Sequence, residues 1–156
     1  LYSSAMRQTK LHTALGFLLL LVGCSTNDNT TVCPSITAPE EGVRALVFSD
    51  DAEQQFDVRL NGVSAVCALD KSGNIKMVIS IGLKLKRDLT VNAAADVVEI
   101  PMLSATISET DQVIANQRLS SVAGIKKDEG LKYPVAEIEQ LVPAGARLII
   151  SLAPSY

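Results

Sequence analysis

The chain has 156 residues, 17 of them acidic and 14 basic, with a formal net charge of −3. That balance argues against a nucleic-acid partner, because phosphate contacts need clustered Lys and Arg. A single histidine, His12, and the absence of tryptophan leave imidazole chemistry and sugar-stacking platforms poorly supplied.

Residues 6–24 read as an address rather than a fold. Arg7 and Lys10 form a positive n-region, Leu15 and residues 17–22 form an apolar h-region, and the small Gly23 precedes a cleavage point, which is the layout of a secretory signal. The apolar span 11–22 contains His12 and falls short of the roughly twenty residues that a spanning helix needs. Residues 1–5 precede the first methionine and are expected to lie outside the fold. Leu21-Val22-Gly23-Cys24 resembles the lipobox of bacterial lipoproteins. The resemblance implies thioether lipidation of Cys24, cleavage before it, and membrane attachment through that lipid. Ser25, by the sorting rule of enteric bacteria, implies the outer membrane with the domain facing the periplasm.

Cleavage there leaves 133 of the 156 residues and shifts the formal charge to −5, since Arg7 and Lys10 depart with no acid. A part of this size is expected to be one domain, burying about two thirds of its unfolded surface. His12 departs too, so the mature part lacks the imidazole of a Ser-His-Asp triad, a Cys-His dyad or a histidine-built zinc site. Assigning Cys24 to lipid leaves Cys33 and Cys67, a pair that can form a disulfide in an oxidising compartment. The competing reading makes Cys67, which alternates with Val63, Ala65 and Leu69, a buried free thiol.

Residues 24–32 are polar and non-periodic and read as a tether carrying the lipidated cysteine, followed by one domain over 33–156. Residues 43–48 are expected to form a first strand. Phe56, Val58 and Leu60 alternate, but the phase flips at Asn61-Gly62, which marks either a tight turn or, the reading favoured here, a bulge in one strand over 56–69. Residues 63–69 and 75–85 alternate about the turn Asp70-Lys71-Ser72-Gly73, predicting a hairpin over 63–86. Residues 97–107 are strand-like, with Leu103, Ala105 and Ile107 on one face, Ser104 and Thr106 on the other, and Pro101 suggesting an edge or a bend. Residues 113–122 and 147–152 supply further strands. Val135, Ile138 and Leu141 sit at helical spacing after Pro134, predicting one short helix before the last strand. About seven strands fit an all-β fold, an immunoglobulin-like or fibronectin-like β-sandwich.

Several side-chain clusters bear on chemistry. Asp50, Asp51, Glu53 and Asp57 lack the ligand rhythm of a calcium loop and read as solvated. Lys84, Lys86 and Arg87 read as a solvent-facing strand edge. Glu137 and Glu139, on a helix, would point apart. Ser120 or Ser121 with Lys126 matches no motif of nucleophilic catalysis. No catalytic residue, cofactor or metal is therefore expected. Cys33-Pro34-Ser35-Ile36 followed by residues 67–73 resembles small uncharacterised proteobacterial envelope lipoproteins, and this likeness supports treating the two cysteines as a structural unit. The expectation is a non-enzymatic structural or protein-interaction module with an envelope protein as partner. The alternative is a periplasm-facing binding module for a small apolar ligand or lipid between the sheets.

Overall fold

The computed structural model describes residues 31–49 and 54–153. Cys24 and most of the tether lie outside the described residues, as do Asp50, Asp51 and Glu53. The strands are β1 Ile36–Thr37, β2 Arg44–Phe48, β3 Gln55–Leu69, β4 Ile75–Lys86, β5 Asp96–Ile107, β6 Val113–Ile125, β7 Leu131–Lys132, β8 Val135–Val142 and β9 Arg147–Leu152, with one 3-10 turn at Glu40–Gly42. Seven of them have five residues or more. They form two sheets, one ordered β2-β3-β4 with β7 and β8 along the far edge of β4, the other β1-β9-β5-β6. This is the expected all-β sandwich, with three consecutive strands, β2 to β4, in one sheet.

Alternation builds the core. On β4, Met77, Ile79, Ile81, Leu83 and Leu85 are fully buried, and they meet Ile100, Met102, Leu148 and Ile150 from the opposite sheet. Burying each such side chain contributes about 1.5 to 3 kcal/mol, so β4 and β9 anchor the sandwich. The hairpin over 63–86 forms as expected. Its turn is tied by Asp70, whose carboxylate accepts from the Ser72 and Asn74 N–H groups at 2.8 and 2.9 Å.

Asn61-Gly62 is a bulge and not a turn: β3 runs through it and its register to β4 shifts between Leu60 and Val63. Gly62 takes φ 110°, a conformation L side chains rarely adopt. Gly82 faces the bulge from β4, where a Cβ would come within 3.1 Å of the Asn61 carbonyl oxygen. The extra residue moves the inward phase from Phe56 and Val58 to Val63, Ala65 and Cys67.

Cys33 and Cys67 form a disulfide with Cα atoms 5.3 Å apart, which ties the segment before β1 to β3. Thr31 N–H also donates to the Cys67 carbonyl at 3.3 Å.

Three expectations are corrected. Residues 135–142 are a strand, not a helix: β8 pairs with β4 in an eight-residue antiparallel register from Val135↔Gly82 to Val142↔Ile75. A helix this short is marginal on its own, while β4 offers a full row of unpaired backbone groups that a strand satisfies. Arg87 is not a solvated neighbour of Lys84 and Lys86 but is 5% exposed. Of the edge or bend that Pro101 suggests, the edge is excluded, since β5 runs between β9 and β6; the Ala153 N–H donates to its carbonyl. Its nitrogen faces the same side, level with Ala153, and the β5–β9 ladder stops one step short of it, at Met102↔Leu152, so the missing donor falls at the end of the ladder and not within it.

Candidate interaction flank

Pro101 also fixes which way β6 presents its backbone. The carbonyl of Pro101 points toward β9, so the residue directly opposite on β6, Ser120, turns its own N–H and C=O away from β5. Counting by twos along the ladder, Asn116, Arg118, Ser120, Val122 and Gly124 all face outward. Of these, Gly124 alone is answered among the described residues, its carbonyl accepting from Lys132 Nζ at 2.5 Å. From Asn116 to Val122 the outward row has no backbone partner among the described residues.

β8 has a matching open row. Leu83 N–H donates to the Pro134 carbonyl, so the odd residues of β4 face β8, and Ala136, Ile138, Gln140 and Val142 take the ladder bonds. Val135, Glu137, Glu139 and Leu141 are left facing out, all exposed. The two rows lie on one flank of the sandwich. Gln140 bridges the sheets there, its Oε1 accepting from Ser104 Oγ and its Nε2 donating to Thr106 Oγ1, both at 3.2 Å. That bridge explains why Ser104 and Thr106, each 1% exposed, are tolerated on the inner face: buried hydroxyls are inexpensive only when hydrogen-bonded.

Beyond Gln140 the second sheet overhangs the first. Residues 113–118 are exposed on both faces, whereas Ala123 and Ile125 at the other end of β6 are buried. Natural edge strands are usually blunted by prolines, lysines or covering loops. β6 has no proline, and Arg118 is its sole charge.

A second polar region surrounds Arg87. Its Nε donates to the Glu129 carbonyl at 3.1 Å, Nη1 to the Ala94 carbonyl at 2.6 Å and to Gln54 Oε1, and Nη2 to the Lys126 and Lys127 carbonyls. Gln54 passes the connection on, donating to Asp96 Oδ2 at 2.8 Å. Burial opposes the charge on Asp96, but hydrogen bonds from Ser49, the Val97 N–H and Gln54, with the Arg87 charge, outweigh it and hold its carboxyl below the ordinary range. Burial likewise opposes Asp57, and it too is held low by hydrogen bonds and charge from Arg59 and Arg44. Arg44 clasps Asp57 with two bonds of 2.8 and 3.1 Å. Arg44, Asp57 and Arg87 edge a polar surface cleft of about 530 Å³ that also takes in Gln54, Gln55, Lys86 and Asp88. Every donor of the Arg87 fork is already spent inside the protein, so this arrangement locks loops together.

Cys33 and Cys67 are thus structural, and Asp57 is an ion-paired strand residue. Glu137 and Glu139 share the outer face of β8 rather than pointing apart; Glu139 pairs with Lys76 at 2.9 Å. Ser120 and Ser121 make no side-chain hydrogen bond to Lys126. Among the described residues no three His, Cys, Asp or Glu side chains gather as a metal site, and no helix is long and apolar enough to cross a membrane. Sequence reasoning missed the flank and Arg118. The available signal was a thirteen-residue run, Val113–Ile125, with one charge and no proline. No protein-family model, curated protein or solved structure gives a significant match to the chain.

Proposed function

We propose that this chain is a non-enzymatic protein-interaction module that accepts a partner strand on its open flank, held at the bacterial envelope by lipid on Cys24. The observation that carries the reading is the outward row of β6, whose N–H and C=O groups from Asn116 to Val122 have no backbone partner among the described residues. Strand addition supplies main-chain hydrogen bonds, with side chains of the added strand giving specificity. The space between the sheets is filled by side chains at zero exposure, which favours a surface interaction over a ligand held in the interior.

The test places a photo-crosslinking residue at Ser120 or Val122, and at Ser72 in the β3–β4 turn as control, in the full chain in bacterial membranes. The expected result is a discrete protein adduct from the edge positions and none from Ser72. No adduct at the edge, or equal adducts at all three positions, overturns the reading. The anchor is tested separately: Cys24→Ala is expected to abolish labelling by a radioactive fatty acid, and retained labelling sinks the lipobox assignment.

A further inference from the structure

We infer that the occupant of this flank is a second copy of the chain, docked about a two-fold axis parallel to the strands; the inference rests on the strand-addition reading and names its partner. Three observations converge on this geometry.

The first is direction. Arg87, just past the end of β4, bonds the carbonyls of Lys126 and Lys127, just past the end of β6, so β4 and β6 finish at the same end and run the same way. β8 is antiparallel to β4 and hence antiparallel to β6. Rotation by half a turn about an axis along the strands preserves direction and exchanges the two layers. It sets the partner's β6 beside β8 in one layer and β8 of the partner beside β6 in the other. Both new pairs are antiparallel, and both open rows close at once, as an isologous contact requires.

The second is register and charge. Gln140 touches Ser104 and Thr106, which sit opposite Gln117 and Ala115 on β6, so Gln140 is level with Asn116. The rotation keeps levels, so the outward row 135, 137, 139, 141 meets the partner's row 122, 120, 118, 116 within one pairing step. Arg118 then faces Glu139 or, one step along, Glu137. The one charge on the β6 row is positive, and both charges on the β8 row are negative. Glu137 has no ion pair among the described residues, and the Glu139–Lys76 pair is half exposed, so both carboxylates are free to turn. Pairing β6 with a second β6 would instead bring arginines together with no acid and leave β8 open.

The third is the overhang. Residues 113–118 are exposed on their inner face as well as their outer one. In the two-fold arrangement the partner's β6 lies in the layer of the first sheet, about 10 Å away, and covers Ala115 and Gln117.

The test is sedimentation equilibrium of the full mature lipidated chain in density-matched detergent. A dimer is expected. Arg118→Glu, at an exposed position, is expected to raise the dissociation constant about tenfold or more, because two symmetric pairs become repulsive; the further changes Glu137→Arg and Glu139→Arg are expected to restore it. A chain that stays monomeric, a ladder of oligomers beyond the dimer, or an unaltered dimer in R118E overturns the inference. Differently tagged chains carrying Arg118→Cys and Glu139→Cys are expected to form a 118–139 disulfide between copies, whereas a predominant 118–118 bond overturns this geometry. Crosslinks from Ser120 only to a different protein overturn the second copy while leaving the strand-addition reading intact; no crosslinks at all remove both.

Discussion

The guanidinium of Arg87 lies over the ring of Phe56, with Cζ 5.9 Å from the ring centroid. Phe56 is fully buried at the start of β3, and Arg87 follows the last residue of β4. The cation therefore sits at the rim of the core, where one face meets an aromatic ring and the edges meet backbone carbonyls of two loops.

Replacing Arg87 leaves those carbonyls without their donor. Arg87→Ala is expected to cost about 2 to 4 kcal/mol in urea unfolding. Arg87→Lys keeps the charge but not the fork and is expected to recover only part of that loss. Equal stability of Arg87→Ala and the parent chain would show that the loops are held by other contacts.

Acid unfolding follows from Asp96 and Asp57. Both carboxyls are held below their ordinary range in the folded state, so the folded protein binds fewer protons than the unfolded chain. Their contribution is complete above the unfolded value of about 3.9 and is lost as pH falls from there through the lower folded values. Stability measured by denaturant titration is expected to be flat in these groups from pH 7 to about 5 and to fall below about 4. Asp96→Asn is expected to flatten the acid limb; an unchanged slope would assign the limb to other groups.

The Cys33–Cys67 disulfide closes a loop with a sequence separation of 34, for which chain-entropy arguments give about 3 to 4 kcal/mol. Under denaturing conditions neither thiol is expected to react until reductant is added, after which both do. The Cys33→Ser, Cys67→Ser double variant is expected to unfold at correspondingly lower urea concentration.

At the β3 bulge, Gly62→Ala is expected to destabilise by about 1 to 2 kcal/mol. Space is not the cause, since nothing lies within 4 Å of a Cβ built there; the positive φ is. A neutral substitution would mean that the strand had re-registered, and loss of the Leu60↔Leu83 pairing in amide hydrogen exchange would reveal it.

The hairpin, the bulge and the strand at 147–152 were legible because each carries its own alternation and turn residues. β8 was not, because Val135, Ile138 and Leu141 fit a helical spacing equally well, and only the waiting edge of β4 chooses between them. Arg87 was misread for a related reason. In the chain it follows two lysines on a strand, and nothing local shows that the carbonyls of Glu129, Lys126 and Lys127 converge on it from some forty residues away.

The flank divides in the same way. Composition and period by themselves determined an all-β domain with an oxidisable cysteine pair and no imidazole beyond His12, since these depend on residue type and on neighbours one or two positions away. Tertiary structure alone decided which strands stay unpaired and which of their residues face outward. Backbone hydrogen bonding is satisfied between segments distant in sequence, so the exposure of Arg118 on one edge and of Glu137 and Glu139 on another is set by the order of strands in the sheets.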